Sequence, residues 1–597
     1  MAVFDVWAPR AANVELVLRE ARMRMSPLER GWWRAEAEVS PGDVYAFSLD
    51  GGPPRPDPRS ADQPDGVHGS SGIVDHGAYG WRFPGFRAAN LSSAVIYELH
   101  VGTFTLEGTL DAAIGKLDHL VDLGVTHVNV MPLNSFEGER GWGYDGVAWY
   151  APHRPYCGPG GPDAVKRFVD ACHERGLAAV LDVVYNHLGP SGNYLDEFGP
   201  YFSGAYSTPW GPAINLDDGH SDIVRRFICD SALMWLRDYR FDGLRVDAVH
   251  AFHDRSAIHL LEQLRTEVRE LERASGRPLV VIAESELNDP RVVTPQEAGG
   301  QGCDAQWSDD FHHALHALLT KEERGYYADF GRIGHLAKAL ENGYVYDGRY
   351  SGFRQRVHGK TPRGLTSDRF LGYIQNHDQV GNRATGDRLT ASCSDQQLKT
   401  AAALVILGPF VPMLFQGEEW GATSPFQFFT DFGDEGLADA VRNGRRGEFE
   451  AFGWDRSEIP DPQDPATFAR SKLPWGELEE PRGADMLAWY RDLIAVRKRT
   501  AGVTARPLER TRVDLDEDER WLAMRNGNAI VACSFAEGGV EPVHHIPIGG
   551  LLEPGDGALK FAIGSDASCA LAGTRASVPA RGCLVAVVLP AVHPRAG

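Results

Sequence analysis

Positive charge is in short supply in this 597-residue chain: 60 Lys and Arg stand against 82 Asp and Glu, a net charge of -22. Without surplus cations no counterion release drives binding to a phosphate backbone, so no nucleic-acid partner is expected. An acidic, solubilising surface and a neutral substrate fit better. Cysteine is sparse and scattered, with eight residues (Cys157, Cys172, Cys229, Cys303, Cys393, Cys533, Cys569 and Cys583) and no CxxC pair. That pattern offers neither a zinc site nor a dense disulfide framework, and points to a reducing cytoplasm. The longest apolar run, Ala401 to Phe415, contains Gly408, Pro409 and Pro412 and is short for a membrane span, so no membrane partner is expected. It reads as a buried helix running into a buried strand. The opening MAVFDVWAPR lacks the basic and apolar regions of a secretory signal. CGPGGPDAV has glycines ahead of a helix but lacks both GxGxxG spacing and the Lys-Ser/Thr of a phosphate loop; Asp163 is expected near the helix N-terminus. No HExxH is present. Neither a cofactor nor a metal is expected.

What is present is a change of texture along the chain. The length alone suggests roughly four domains, but the pattern divides into three. Residues 1–88 alternate apolar and polar positions between turn signals, as in ANVELVLRE, and read as an N-terminal all-β module of short strands. The Pro- and Gly-rich GGPPRPDPRSADQPDG is its irregular exit and a plausible linker. Residues 89–503 alternate strand and helix. The strands are AVIYELHVG, VTHVNVMP, LAAVLDVVYNH, FDGLRVDAV, LVVIAESE, CDAQW, FLGYIQNHD and VPMLFQGEE. TLDAAIGKLDHLVDLG between the first two carries Leu110, Ile114, Leu117 and Val121 at helical spacing. Near-continuous apolar strands separated by helices imply a parallel sheet, and eight of them imply an α/β fold, a (β/α)8 TIM barrel. Residues 504–597 return to short strands and read as a C-terminal β module.

Barrel active sites lie at the C-terminal ends of the strands. Here those ends carry Asp182, Asn186 and His187; Arg245 and Asp247; Glu284; and Asn376, His377 and Asp378. One such end is an ordinary helix cap. Carboxylates, imidazoles and a guanidinium on four ends must converge on one mouth, where their mutual repulsion is costly unless function requires it. In FDGLRVDAVH, strand alternation puts Arg245 and Asp247 on one face, so that a fixed guanidinium can hold an ionised carboxylate. The bland alternative is a cap and a structural ion pair. Three carboxylates without a nearby Ser or Cys nucleophile suit glycoside hydrolysis.

DVVYNH, GLRVDAVH, IAES and QNHD resemble the four signature regions of the α-amylase superfamily, in that family's order, and WGYDGVAWYAP is similar to its further aromatic region. The resemblance implies that residues 1–88 are an N-terminal β-sandwich of carbohydrate-binding type and residues 504–597 a C-terminal β-sandwich. It implies Asp247 as nucleophile, Glu284 as general acid/base and Asp378 as the third carboxylate. It further implies that Arg245 fixes the nucleophile, that His187 and His377 bind sugar hydroxyls, and that Tyr144 stacks on the sugar. A retaining reaction needs the two catalytic carboxyls roughly 5–5.5 Å apart.

IAESELNDPR, QWSDDFHHALHALL and QNHDQVGNRATGDRL resemble the branch of that superfamily acting on trehalose-ended malto-oligosaccharides. The resemblance implies cleavage of the α-1,4 bond next to the terminal trehalose, releasing trehalose. Trp307, Asp309, Asp310 and His312 are candidates for contacts to the trehalose end, against simple packing and capping. His312, His313 and His316 have helical metal-site spacing, but no ligand cysteine lies nearby. Asn186 matches a position that ligates calcium in many α-amylases, although the trehalose-releasing branch is not generally calcium-dependent. A glucan branching enzyme or a general α-amylase-type hydrolase shares the carboxylate machinery; a branching enzyme's fourth region usually lacks QNHDQ. A non-catalytic glucan-binding protein on a decayed barrel has no reason to keep Asp247, Glu284, Asp378 and Arg245 together.

Overall fold

A computed structural model describes residues 1–40, 42–450, 458–537 and 543–590. The eight expected strands close into a parallel barrel. In chain order they are Ile96–Leu99, His127–Val130, Ala178–Val183, Gly243–Val246, Val280–Ala283, Ala305–Trp307, Phe370–Gly372 and Val411–Phe415, and each pairs with its sequence neighbour until the eighth meets the first. Nearly every strand residue is buried, because helices cover the outside while side chains fill the inside. The register is parallel throughout: Asp182 lies opposite Arg245, and Val246 opposite Ala283. Extending that register by one residue brings Asp247 and Glu284 level at the barrel mouth.

The apolar run from Ala401 resolves as expected, into the helix Asp395–Leu407 and the eighth strand. The helix is fixed at its start by a capping box between Ser394 and Gln397. Asp163 does open the helix Asp163–Glu174. Two local expectations need correction. TLDAAIGKLDHLVDLG is two helices, Leu110–Ile114 and Leu117–Leu123, broken where the Gly115 amide turns back to Ala112 and Ala113. After the break Leu117, Leu120 and Leu123 are buried and Val121 is exposed. GGPPRPDPRSADQPDG is irregular but is no free linker. Tyr45 donates to buried Asp57 at 2.7 Å, Arg59 pairs with Asp230 at 2.9 Å, and Asp62 pairs with Arg154. The first contact ties the segment to the N-terminal sheet, and the other two bolt it onto helices of the barrel domain.

Two sheets precede the barrel. Trp32–Ala37 lies between Ala2–Trp7 and Ser26–Pro27; Val14–Leu18 and Val44–Leu49 lie between Ala21–Arg24 and Ser71–Gly72. Val14, Leu16 and Leu18 point inward and Glu15 and Val17 are partly exposed, the period-2 pattern of a half-buried strand. Two more sheets follow the barrel, and Ala523, Ile530, Ile546, Val578 and Leu584 pack between them. The last seven positions of the expected C-terminal module lie outside the described residues. One hydrophobic core runs from Phe4 through the barrel to Val585, so the flanking sheets brace the barrel. Among the described residues no helix is long and apolar enough to cross a membrane.

Candidate active site

The mouth of the barrel is organised by one guanidinium. Arg245 is fully buried, and its Nη1 donates to both oxygens of Asp182, at 2.8 and 2.7 Å, and to Oδ1 of Asp247 at 2.8 Å. Its Nη2 lies 2.9 Å from Oε2 of Glu284. Below the plane of the guanidinium sits the Trp307 ring, 4.2 Å from Cζ to centroid. A planar, always-charged fork can serve three acids and an aromatic face at once; a lysine ammonium cannot. Burial opposes the charge on Arg245, but Asp182 and Glu284 outweigh it and hold the side chain more firmly protonated than usual.

Asp247 is held from two sides. Asn186 donates Nδ2 to Oδ2 at 2.7 Å while Arg245 holds Oδ1, so both carboxylate oxygens are aimed and each keeps a free lone pair. Ala248, the next residue, adopts a left-handed backbone (φ 39°, ψ 50°), which a non-glycine residue enters at a cost. The turn is kept because the Ala248 amide donates to Glu284 Oε2 at 2.8 Å. Glu284 is therefore anchored by Oε2 alone; among the described residues Oε1 has no protein partner. That is the oxygen available to carry a proton.

Asp378 lies in the first turn of the short helix His377–Gly381, capped by Asn376 on the Gln379 amide at 2.7 Å. Burial raises its pKa, with Glu284 adding to the effect and His377 opposing it. His377 lies beneath Tyr144, rings stacked at 5.0 Å, and its Nε2 is 3.6 Å from Asp378 and 2.7 Å from the Tyr144 hydroxyl. Its Nδ1 meets Glu98 at 2.8 Å. Burial alone lowers the pKa of an imidazole; Glu98 and Asp378 reverse that and raise His377 to about 9. His187 is different. Burial pushes it down to about 4, and it stacks on half-exposed Trp210 at 5.1 Å.

These groups open onto a cleft of about 1210 Å³ lined by Tyr144, His187, Asp247, Glu284 and Asp378. Arg245, His377 and Trp307 are buried behind the lining residues. The residues read as trehalose-side contacts divide. Asp309 lines the cleft. Asp310 does not: its carboxylate is spent on the Asn288 side chain and the amides of Val345 and Tyr346, at 2.6–2.8 Å. His312 also turns inward, stacked on Tyr373 at 5.7 Å and His316 at 5.4 Å, and it is His313 that reaches the cleft. The sequence reading missed Glu98, although YELH ends a buried strand. It missed the part Asn186 plays beside Asp247, and the cleft walls built by Glu286 with Arg354 and Glu322 with Arg383. Phe428 and Phe429 line the cleft, whereas Tyr201 packs between Trp7 and Phe227.

The α-amylase catalytic-domain family model matches residues 69–203, the stretch that contains the first three barrel strands. Malto-oligosyltrehalose trehalohydrolase of Arthrobacter ramosus is 52% identical over 92% of this chain and 95% of its own length. The protein of that name from Saccharolobus solfataricus is 43% identical over 90% of this chain and 91% of its own. A solved structure from Salmonella typhimurium, 38% identical, superposes with a TM-score of 0.87 over 98% of this chain and 97% of its own. Such identity, sustained over nearly the full length of both chains, means that this chain belongs to the malto-oligosyltrehalose trehalohydrolase family of α-amylase-type glycoside hydrolases.

Proposed function

We propose that the chain hydrolyses the α-1,4-glucosidic bond next to the terminal trehalose of a malto-oligosyltrehalose, releasing trehalose and a malto-oligosaccharide with retained anomeric configuration. The observation that carries the chemistry is Arg245 holding Asp247 and Glu284 side by side at adjacent strand ends. The substrate rests on the named relatives. Asp247, with both oxygens aimed and lone pairs free, attacks the anomeric carbon. Glu284 passes a proton from Oε1 to the glycosidic oxygen, and trehalose leaves as a neutral alcohol. Water then attacks the glycosyl ester as Glu284 takes its proton, which regenerates both carboxyls. Asp378 and protonated His377 hold hydroxyls of the sugar being cleaved, and Tyr144 covers its face. The eight cysteines are all unpaired, which supports a reducing, cytoplasmic setting.

Equal concentrations of maltopentaose and a trehalose-ended chain of similar length test the reading. Rapid release of trehalose, with slow attack on maltopentaose, is expected. Comparable rates on both, or branched products, overturn it. Proton NMR of the first products should show the α-anomer; initial β-anomer would sink the double displacement.

A further inference from the structure

One carboxyl at the mouth has no part in this scheme. Asp309 is the first residue of the helix Asp309–Thr320, directly after the sixth barrel strand. Its neighbour Ser308 leaves the helix N-terminus without a side-chain cap, and Asp309 does not supply one. Its Oδ1 instead accepts the hydroxyl of fully buried Tyr373, and Oδ2 has no protein partner among the described residues. Tyr373 is wedged between Trp307, at 5.4 Å, and His312, at 5.7 Å, so the anchor is rigid. Trp307 in turn supports Arg245. Asp309 lines the cleft with Glu284 and Asp378, whose strand ends flank its own.

We propose that Asp309 is a specificity-determining residue of this site, whose Oδ2 hydrogen-bonds a hydroxyl of the sugar that departs as part of trehalose. The proposal rests on the substrate reading above. Asp310 next to it serves the fold, its Oδ2 taking three donors from the protein and its side chain lying outside the cleft lining. Asp309 lines the cleft with one oxygen locked and the other left without a protein partner among the described residues, an arrangement that offers a polar group to a ligand. Its strand end adjoins that of Glu284, the residue that protonates the leaving sugar in the scheme above. The groups that face it are Glu284 and Asp378 from the adjoining strand ends, Tyr373 beneath, and Asp310 and His313 from its own helix. Burial first, then those acids, raise the Asp309 pKa to about 7, with Tyr373 opposing. Below that pH the proton resides on Oδ2, because Oδ1 already accepts from Tyr373, and the carboxyl is a donor.

Two variants test this, with trehalose as inhibitor and trehalose-ended maltotriose and maltopentaose as substrates. Asp309→Ala is expected to raise the inhibition constant of trehalose about tenfold and lower kcat/KM on the trehalose-ended chain by a similar factor, with a smaller change on maltopentaose. Asp309→Asn keeps an acceptor for Tyr373 and an N–H donor for the ligand. It should hold the inhibition constant steady from pH 6 to 8, whereas the wild type weakens as pH rises through about 7. Equal losses on both substrates in the alanine variant with unchanged trehalose inhibition overturn the proposal. So do coincident pH profiles of wild type and Asp309→Asn, which remain readable if the alanine variant fails to fold. A wild type without preference for the trehalose-ended chain overturns the substrate reading itself; a preference kept intact in both variants overturns only the role of Asp309.

Discussion

Asn186 donates its side-chain amide to Oδ2 of Asp247 at 2.7 Å, from the strand end next to the one that carries the carboxylate. This contact fixes the one Asp247 oxygen that Arg245 does not reach. Replacing Asn186 with Asp exchanges a donor for a second negative charge against the nucleophile. The kcat should fall about 10²–10³-fold, the scale of losing one preorganised donor at a reacting charge. Asn186→Ala should cost less, since it removes the donor without adding repulsion. Steady-state kinetics on folded protein, checked by circular dichroism, decides; activity within about twofold in both variants would refute the assignment.

Glu284 and Asp247 can be told apart by the leaving group. Glu284→Gln removes the proton donor and should slow hydrolysis of the trehalose-ended chain about 10²–10⁴-fold. A maltosyl fluoride needs no protonation to leave, so the same variant should recover much of the glycosylation step on that substrate. Asp247→Asn should stay inactive on both. Equal recovery in the two variants would reverse or void the assigned roles.

Arg245 couples fold to site. Arg245→Leu strands three acids, Asp182, Asp247 and Glu284, at the mouth without their cation. Breaking a buried pair in this way costs about 3–5 kcal/mol. Arg245→Lys keeps the charge but loses the fork and the stacking on Trp307, and should lower kcat about 100-fold through misplaced carboxyls. Urea unfolding and kinetics on the two variants separate these effects. A lysine variant with wild-type activity would show that charge alone suffices.

Acid should weaken the fold early. Burial pushes His100, His153 and His313 down to about 3, and His127 and His187 to about 4. Each contributes stability that is complete above the ordinary histidine value of 6.5 and is lost as pH falls toward its folded value. His377, raised to about 9, has the opposite sign: its contribution is complete below 6.5 and fades as pH rises through 9. The urea midpoint should therefore drop between pH 6.5 and pH 4. His153→Phe, which preserves the stack on Phe136 at 3.6 Å, should make that drop shallower. An unchanged slope would mean that His153 is not held neutral.

Eight strands were legible because a barrel strand is buried on both sides, so each appears as a short apolar run ending in polar residues. The catalytic carboxyls were legible at those ends for the same reason. The break at Gly115 was not, because Leu110 to Val121 keep helical spacing across it. Nor could the pattern choose between Asp309 and Asp310. Neighbours on a helix point about 100° apart, and which of them meets the cleft depends on where Val345 and Tyr346 lie, 35 and 36 residues onward. Once one is chosen, the other follows: Asp309 and His313 are four apart and share a face.

By itself the sequence determined the barrel, the order of its strands and the acids at their ends, since these follow from local periodicity and from polar residues at strand termini. The closed register decided the rest. It set Asp247 level with Glu284, brought Asn186 and Glu98 against groups far away in the chain, and spent Asp310 on backbone amides while leaving Asp309 open. Those are choices of direction between neighbours in space, and only the closed barrel fixes which neighbours a side chain has.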